Sequence, residues 1–451
     1  MKLILIFTSI IYLSLSNIHG IAKETKKDEG ILKIGLIVPL SGKYQEIGNS
    51  ILNSTRLALS KIGSDQIEIF PKDNYSSPKK TLFVARQLEK EGVEIVIGPV
   101  FHKNLIYLEE VQSLTFLSLS NKTKKIPKNV ITFGINAISQ INAIVDFIKK
   151  EKLNKTIVIV PKSNFEDELK NALVKSKYKF FNIYSYDAES NKLTSQIEQI
   201  TAYTERKKNL EKIIKFTEKR IEILEKEEEL ENFKKKYIIG EVNLDSVVVT
   251  ENELKKLKKQ YVLLDNQINE EELENFKKKY AFSNAKINKN ELENLKKKYT
   301  IGKVKFDSVV IADFGENLKS VTNSFSFSDV TAQDVKFITL NQWFDHTLLV
   351  ENSANKIYFP SIKLKNYSNF REIYFEKYNK YPQQISILSY DILGLIYFLK
   401  KKQNENLGKN IFDKKMSYIG EVGEFSFEDK VVNHKLNIYQ ISNKQFLKIN
   451  K

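Results

Sequence analysis

The sequence has no cysteine among its 451 residues, and this absence excludes several kinds of structure. No disulfide can crosslink the fold, no thiolate can bind a metal, and no cysteine near the amino terminus can carry the lipid of a bacterial lipoprotein. Histidine is nearly absent too, with four in the whole chain, and the motifs HExxH, GxxxxGK[ST] and GxSxG do not occur. Hydrolase, kinase and metalloenzyme chemistry therefore lacks its parts. We expect no enzymatic activity, no metal and no cofactor.

Long apolar runs are confined to the amino terminus. A positively charged start precedes the run LILIFTSIIYLSLS, and the small residue Gly20 follows it. This order describes a secretory signal peptide over 1–20, with a linker over 21–30. A retained membrane anchor is the alternative, because the residues before Gly20 match the small-x-small cleavage pattern poorly. Both interpretations predict export to the periplasm, and the missing cysteine argues against a lipoprotein.

The formal charge of +16 raises the question of nucleic acid binding. Most basic residues are lysines, which are spread along the chain and mixed with glutamate, while the 16 glycines and 8 prolines are few for this length. Such a composition indicates biased codon usage rather than a surface built to bind phosphates. We expect no nucleic acid partner.

From residue 31 the chain alternates between short apolar strands and amphipathic helices. ILKIGLIVPL, IEIFPKD and VEIVIGPV have the pattern of buried strands, and a helix is predicted from about His102 to Val111. Continuous apolar strands that alternate with helices predict parallel sheets covered on both faces. The predicted fold class is therefore α/β, with two doubly wound Rossmann-like lobes.

The alternation occurs twice, which predicts two lobes. Two short strands, GEFSFED and HKLNIYQIS, are predicted to close the chain. We place lobe 1 at 31–140 with a return of the chain over about 380–451, and lobe 2 at 141–195 and 300–380.

A charged helical insertion with internal repeats is predicted over 196–299. Apolar residues such as Leu210, Ile214 and Leu224 follow a three-to-four spacing, which favours a short antiparallel pair over a long coiled-coil zipper. A solvated single helix is the alternative. The phrase ELENFKKKY occurs twice, with the close variant ELENLKKKY ending at Tyr299.

Two longer copies within the insertion share a strand-like continuation. The copies IIGEVNLDSVVV and TIGKVKFDSVVI align at a constant offset, so 238–299 is interpreted as a tandem duplication. We assign the strand position in the sheet to the second copy, which runs directly into the following elements. The insertion is either a surface for a partner or surplus sequence left by the duplication.

Several segments resemble a known family. KIGLIVPLSGKYQEIGNSILNSTRLAL resembles the opening of type 1 periplasmic binding proteins, the leucine-binding protein family. ARQLEKEGVEIVIGPVF, TFLSLSN, KYNKYPQQISILSYDILGLI and GEVGEFSFEDKVVNHKLNIYQI follow in family order. The resemblance spans 31–451 outside the insertion and implies a two-lobed clamshell.

Within that family the chain is similar to the branch of penicillin-binding protein activators, which are periplasmic proteins that stimulate peptidoglycan synthases. The phrase YTIGKVKFDSVVIADFGENL after a long charged helix carries this similarity. The segment VPKSNFEDEL has Phe165 and Glu166 where transport-type relatives commonly have Tyr-Gly. The missing phenol puts a role in amino acid transport in doubt.

The carboxyl ends of the strands are where a doubly wound sheet binds its ligands. Three loops of lobe 1 lie there, at 39–44, 98–102 and 118–121, and the resemblance implies a cleft on the same loops. Their serine hydroxyls can donate hydrogen bonds to a ligand carboxylate or can cap turns and helices. The predicted ligand-binding residues of lobe 1 are Ser41, Gly42, Tyr44, Pro99, Val100, Phe101, Ser118 and Ser120.

Lobe 2 contributes weaker candidates. Asp313, at the end of the strand VVIAD, can hold a ligand ammonium or cap the strand end. Phe165 or Trp343 can form an apolar lid, or Trp343 can be a core or hinge aromatic.

These observations predict a non-enzymatic periplasmic protein of the binding-protein type. The leading hypothesis is a penicillin-binding protein activator or sensor, whose cleft is vestigial or binds an amino-acid-like ligand or a peptidoglycan fragment. The alternative is the substrate-binding component of an ABC transporter for amino acids or related molecules, with a permease as its partner. Contact with the membrane is expected only through such a partner or an uncleaved signal.

Overall fold

The computed structural model describes residues 31–238, 256, 259, 289–403, 417–428 and 430–449. Its strands are β1 Leu32–Val38, β2 Ile67–Asp73, β3 Ile95–Ile97, β4 Thr115–Ser118, β5 Val130–Thr132, β6 Thr156–Pro161, β7 Asn182–Tyr186, β8 Ser308–Ile311, β9 Lys336–Thr339, β10 Tyr358–Ser361, β11 Ser417–Gly420, β12 Gly423–Glu428, β13 Val431–His434, β14 Asn437–Ser442 and β15 Gln445–Lys448. Its α-helices are α1 Gln45–Ile62, α2 Pro78–Lys90, α3 Ala137–Lys150, α4 Glu166–Lys175, α5 Ser190–Thr201, α6 Tyr203–Ile238, α7 Lys289–Lys296, α8 Gly315–Phe327, α9 Leu364–Tyr378 and α10 Ser386–Gln403.

The described residues form two compact units. The first holds 31–120, 126–133 and 374–403, and the second holds the remainder. The sequence analysis placed the return of the chain, about 380–451, in lobe 1. In the structure the last part of that range, 437–449, belongs to the second unit, where β14 pairs antiparallel with β10.

The first unit is built on five parallel strands in the order β5-β4-β3-β1-β2. Helix α2 packs Val84 and Leu88 against Ile37, Val96 and Phe116 of the sheet in one buried cluster. Parallel strands end at one edge, and β3 lies between β1 and β4. The loops after these three strands are therefore neighbours, as the sequence analysis expected.

Two glycines permit close backbone contact at this edge. A Cβ on Gly48 would lie 1.8 Å from the carbonyl oxygen of Pro39, so helix α1 can approach the loop after β1 only with glycine there. Gly98 has a φ of +100°, and a Cβ on it would lie 2.2 Å from the carbonyl oxygen of Ile37. Both positions fix the loops of the predicted site.

The helix predicted from His102 to Val111 is wrong. The structure has two short 3-10 turns there, His102–Leu105 and Leu108–Glu110. Leu105, Leu108 and Val111 are all buried in the core cluster. Their spacing of three matches a 3-10 helix, which has three residues per turn, and places all three side chains on one face.

The second unit has a seven-stranded sheet in the order β15-β14-β10-β9-β8-β6-β7. The five strands from β10 to β7 are parallel to their neighbours. Val158 and Val160 of β6 and Ile338 of β9 pack against Ile141 and Ile144 of α3. Strand β8, from the second repeat copy, lies between β6 and β9, which confirms the position assigned to that copy; the first copy lies outside the described residues.

The end of the chain has five strands rather than the two predicted. β11, β12 and β13 form an antiparallel meander, and β15 pairs with β14. Asn443 and Lys444 between β14 and β15 both have positive φ, the backbone of a tight hairpin turn. Each of the extra strands, SYIG, VVNH and QFLK, has only two apolar residues, so none shows the continuous apolar run from which the other strands were predicted.

Helices α6 and α7 pack together in antiparallel fashion. Leu210 and Ile213 of α6 contact Leu295 of α7, and Glu218 pairs with Lys296 at 3.0 Å. Of the predicted apolar spacing, Ile214 packs against this cluster, whereas Leu224 is exposed because the neighbouring Ile223 takes the buried position. Among the described helices, none is long and apolar enough to cross a membrane.

Candidate functional site

The carboxyl edge of the first unit brings the lobe 1 candidates together. Tyr44 and Phe101 have ring centroids 4.6 Å apart. The peptide N–H of Ser120 donates to the hydroxyl oxygen of Ser118 at 3.2 Å, and the hydroxyl of Ser118 donates to the carbonyl of Pro99 at 2.8 Å. The loops after β1, β3 and β4 are thus joined by short-range contacts.

The hydroxyl of Ser41 is already used within the protein. It donates to Oδ2 of Asp73 at 2.6 Å, and Oδ1 of the same carboxylate accepts the N–H groups of Leu40 and Tyr75, each at 2.9 Å. Asp73 is the last residue of β2, opposite Val38 at the end of β1. The carboxylate therefore fixes the loop after β1 and adds negative charge beside Ser41.

The hydroxyl of Ser118 is also hydrogen-bonded within the protein. It is fully buried, and its hydroxyl proton goes to the carbonyl of Pro99, which also accepts the N–H of Leu119 at 3.2 Å. Pro99 follows Gly98 through a cis peptide bond and is buried, as is Val100. The carbonyl of Pro99 in the loop after β3 is therefore hydrogen-bonded within the protein, and these bonds stabilise the conformation of the loop.

The more accessible candidates of this edge are Gly42, Tyr44 and Phe101. Gly42 is exposed with a φ of +73°, and the two aromatic rings are half-buried. The ammonium of Lys43 lies 5.6 Å from the ring centroid of Tyr44. This edge therefore presents two aromatic rings and a cation rather than unused hydroxyl donors.

In the second unit, Asp313 follows β8 and is buried. Its Oδ2 accepts the hydroxyl of Tyr186 at 2.5 Å, and its Oδ1 accepts the N–H of Phe314 at 2.8 Å. Burial raises the pKa of the Asp313 carboxyl, while these hydrogen bonds oppose the rise. Burial and the neighbouring carboxylate both raise the pKa of the Tyr186 phenol, so the phenol remains protonated and donates.

The backbone around Asp313 is held as well. Its carbonyl accepts the hydroxyl of Thr339 at 2.7 Å and the amide of Gln342 at 3.1 Å. Gln342 also accepts the N–H of Gly315 through its side-chain oxygen at 3.4 Å. Asp313 is therefore the centre of a hydrogen-bonded network at the ends of β7, β8 and β9.

The two proposed lid residues lie at the same edge of this sheet. Phe165 is half-buried and packs against the main apolar cluster of the unit. Trp343 is half-buried in a left-handed conformation, with a φ of 48°, and its N–H donates to Oδ1 of Asn341 at 2.9 Å. Next to them Phe314 is 61% exposed.

Three residues that shape the two edges, Asp73, Tyr186 and Gln342, were not predicted from the sequence. Asp73 and Tyr186 are the last residues of β2 and β7, and this position at a strand end was the available signal. No sequence feature pointed to Gln342, because its hydrogen bonds depend on the conformation of the loop after β9. Within the described part of the chain, no three histidine, aspartate or glutamate side chains form a group that could hold a metal ion.

The comparisons with known proteins concern both the sequence and the fold. Residues 31–202 match the family model described as periplasmic binding protein. No curated protein matches the chain in sequence.

Two solved structures of LpoA from Haemophilus influenzae share the fold. The C-domain of LpoA, described as a regulator of PBP1A, has a TM-score of 0.54 and 12% identity, over 93% of this chain and 100% of that one. Full-length LpoA has the same TM-score and identity, over 94% of this chain and 59% of its own length. The chain thus spans less than two thirds of full-length LpoA.

A solute-binding protein of an ABC transporter from R. palustris, solved with 4-hydroxybenzoate, is similar to the same extent. It has a TM-score of 0.54 and 11% identity, over 93% of this chain and 96% of that one. The α/β fold with two units is therefore the one predicted. The resemblance to type 1 periplasmic binding proteins was inferred from segments between 31 and 451, and the family match confirms it over 31–202.

Proposed function

We propose that the chain is a non-catalytic protein of the cell envelope that regulates a peptidoglycan synthase through its surface. The observation that carries this proposal is the internal use of the polar groups at the predicted ligand edge. Ser41 donates to Asp73, Ser118 donates to Pro99, and Asp313 accepts from Tyr186. A hydroxyl whose proton is donated inside the protein does not donate to a ligand carboxylate, and breaking such a bond has a cost.

The similarity in fold to LpoA supports the same function. That protein is described as a regulator of PBP1A. The negative charge of Asp73 beside Ser41 adds to the argument, since it disfavours an anionic ligand there. A regulator of this kind needs a stable surface rather than a cleft that closes on a transported solute.

The test is reconstitution with a bifunctional peptidoglycan synthase from the same genome. We expect the exported chain, starting at residue 21, to raise the rate of glycan polymerisation or crosslinking severalfold. The control is the same chain unfolded by heat, which should have no effect. An unchanged rate with a synthase that responds to another activator would contradict the proposal.

A second candidate is the solute-binding component of an importer, favoured by the fold shared with the R. palustris protein. The two half-buried aromatic rings at the first edge, Tyr44 and Phe101, suit a flat ligand. A thermal-shift screen with amino acids, aromatic acids and peptidoglycan fragments separates the candidates, because a ligand at 100 times its Kd stabilises by about 2.7 kcal/mol. A shift with an amino acid or an aromatic acid would favour import.

A further inference from the structure

The second unit carries an uneven distribution of charge between the two edges of its sheet. Strands β6 to β10 are parallel, so the segments that precede them lie at one edge, which we call the amino edge. The turn between β14 and β15 lies there too, because Lys356 before β10 donates its N–H to Ile441 of β14. The amino edge comprises 149–155, 175–181, 303–307, 334–336, 355–357 and 443–444.

Lysine dominates the amino edge. Its segments contain twelve lysines and only three acidic residues. All the lysines except the half-buried Lys336 are exposed. The lysines are Lys149, Lys150, Lys152, Lys155, Lys175, Lys177, Lys179, Lys303, Lys305, Lys336, Lys356 and Lys444.

The three acids are engaged within the protein. Glu151 pairs with Lys336 at 2.7 Å, and Asp334 accepts the N–H and hydroxyl of Thr331. Asp307 accepts the backbone N–H groups of Asn154 and Lys155, just before β6, at 2.9 and 3.0 Å. Their charges therefore stabilise the edge itself, and the lysines give it a positive face.

The opposite edge of the same sheet has the reverse balance. The segments that follow β6 to β10, at 161–168, 187–192, 312–319, 340–346 and 362–365, together with 435–436 before β14, contain eight acidic residues and six lysines. Lysine-rich composition alone would give both edges an excess of positive charge. The excess is instead concentrated at the amino edge.

The turn between α4 and β7 is a rigid part of this edge. Phe180 is buried in the apolar cluster, and Tyr178 packs against it with ring centroids 4.8 Å apart. The hydroxyl of Tyr178 donates to the carbonyl of Leu153 at 3.3 Å, and the N–H of Phe181 donates to Thr156 at 2.8 Å. These bonds join the turn to the start of β6. With Tyr178 and Phe180 packed inward, the alternate residues Lys177, Lys179 and Phe181 of the turn are exposed.

Apolar side chains are exposed among the lysines of this turn. Val174 is 78% exposed, Phe181 45% and Ile183 49%. Lys175, Lys177 and Lys179 lie between Val174 and Phe181, and 171–183 contains no acidic residue. β7 is also the last strand at its side of the sheet. A turn that is both basic and apolar is therefore presented at a corner of the unit.

We propose that the amino edge of the second unit binds the surface of a bilayer that carries anionic phospholipid headgroups. Lysine ammonium groups attract such a surface within about 8–10 Å at physiological salt. The exposed Val174, Phe181 and Ile183 favour a bilayer over a soluble polyanion, because apolar side chains gain from burial at the acyl boundary and have no partner on a phosphate chain. This inference is independent of the proposed regulation of a synthase.

The test is sedimentation of the chain, starting at residue 21, with vesicles of phosphatidylcholine alone or mixed with phosphatidylglycerol. We expect binding to the mixed vesicles only, and weaker binding as salt rises. Replacing Lys175, Lys177 and Lys179 by glutamine should weaken binding on the order of 100-fold, as three lysines near an anionic surface contribute about tenfold or less each. Thermal unfolding of each variant checks that it folds.

The matched control replaces three exposed lysines of the first unit, Lys79, Lys90 and Lys103, by glutamine. It changes the net charge equally and should weaken binding much less. An equal loss in both triple variants would overturn the proposal, because diffuse charge would then explain binding. No binding to the mixed vesicles would overturn it as well.

The apolar part of the proposal has its own test. Phe181→Ser should weaken vesicle binding severalfold and leave binding to soluble polyphosphate unchanged. The wild-type chain and the Phe181→Ser variant could instead bind vesicles equally and bind polyphosphate tightly. That result would identify a soluble polyanion as the partner and overturn the proposal that the edge binds a bilayer. If the lysine variant does not fold, Lys152→Gln with Lys155→Gln on the same edge replaces it.

Discussion

The pair formed by Tyr186 and Asp313 shows how a phenol opposes the effect of burial on the pKa of a carboxyl. The hydrogen bond from Tyr186 favours the carboxylate, whereas burial favours the protonated acid. In the fold the pKa of Asp313 is raised, with burial as the larger cause. The stability that this raised pKa contributes is fully present below the unfolded pKa of about 3.9 and is lost as pH rises through the folded pKa.

Tyr186→Phe should therefore destabilise the protein in a pH-dependent way. Loss of the phenol raises the pKa of Asp313 further, so more stability is lost as the pH rises. We expect a small change in the free energy of unfolding near pH 3.5 to 4, growing to about 1.5–3 kcal/mol at pH 7, the typical worth of a hydrogen bond to a charged group. Urea unfolding across this pH range measures it.

Two variants control this experiment. Tyr184→Phe changes a less buried phenol on the same strand and should have little effect at any pH. Adding Asp313→Asn to Tyr186→Phe should remove the pH dependence, since the titrating group is gone. A cost of Tyr186→Phe that is equal at acid and neutral pH would mean that Asp313 does not control it.

Lys177 illustrates a second effect at the scale of one residue. It follows α4 with a φ of +53°, a left-handed conformation usually occupied by glycine after a helix. Lys177→Gly should raise the free energy of unfolding by up to about 1 kcal/mol, since the strain of a side chain there is removed. The control, Lys175→Gly within α4, should lower it by up to about 1 kcal/mol. Chemical unfolding compares the two, and a loss in both would contradict the backbone argument.

At the scale of elements, Arg206 attaches helix α6 to the rest of the second unit. Its guanidinium donates to the carbonyls of Gly302, Ser328 and Asp329 at 3.2, 3.0 and 2.9 Å, and to the hydroxyl of Thr300 at 2.7 Å. Two of these carbonyls lie just beyond the carboxyl end of α8, where a helix leaves acceptors without partners. Burial lowers the pKa of Arg206, yet a guanidinium stays charged in proteins.

Arg206→Ala should lower the free energy of unfolding by about 2–4 kcal/mol, because several buried acceptors lose their donor. Arg206→Lys should recover little of this loss, since one ammonium cannot reproduce the planar fork of donors. Lys219→Ala, an exposed residue of the same helix, is the matched control and should change stability by less than about 0.5 kcal/mol. Full recovery by lysine would show that charge alone matters.

The sequence predicted the strands well where apolar runs are continuous. It predicted that the second repeat copy occupies the sheet, and the structure gives the physical reason. Thr300 bonds to Arg206, and Gly315 has a φ of +60° at the start of α8. The corresponding positions of the first copy are Ile238 and Glu253, which can neither bond in that way nor adopt that backbone easily.

Other parts of the fold and site were not predictable from pattern. The segment after His102 has apolar residues at a spacing of three, which is close enough to 3.6 that a helix was expected. Ser41 and Ser118 matched a ligand-binding pattern, but their hydroxyls bond to Asp73 and to the carbonyl of Pro99. Those acceptors are distant in sequence, so only the fold reveals that the hydroxyls are used.

At the scale of the whole molecule, the composition of the chain and the placement of its charges in the fold give different predictions about a surface that binds anions. Lysine is spread along the sequence, and from this we expected no nucleic acid partner. The strands of the second unit collect lysines from six separate segments at one edge, while acids gather at the other. Periodicity along the chain cannot show this, because the segments are brought together only by the parallel order of the sheet.

The helical insertion allows a final test. Ion pairs join Glu218 to Lys296 and Glu225 to Lys289, the latter at 2.7 Å, so the two helices can be linked just beyond the second pair. We expect a chain with 227–287 replaced by a short Gly-Ser linker to keep the apolar contacts near Leu210 and to fold. Loop closure costs change slowly with length, and a shorter loop costs less.

The largest loss of stability expected for the shortened chain is set by Ile223, which is fully buried and lies four residues before the replaced segment. Complete exposure of that side chain would cost about 1.5–3 kcal/mol, so urea unfolding should show a decrease no greater than this. A larger decrease would mean that the replaced residues support the two units. If the shortened chain folds and still stimulates a synthase as the full chain does, the insertion is surplus from duplication; if it folds and stimulation is lost, the insertion is the surface that contacts the synthase.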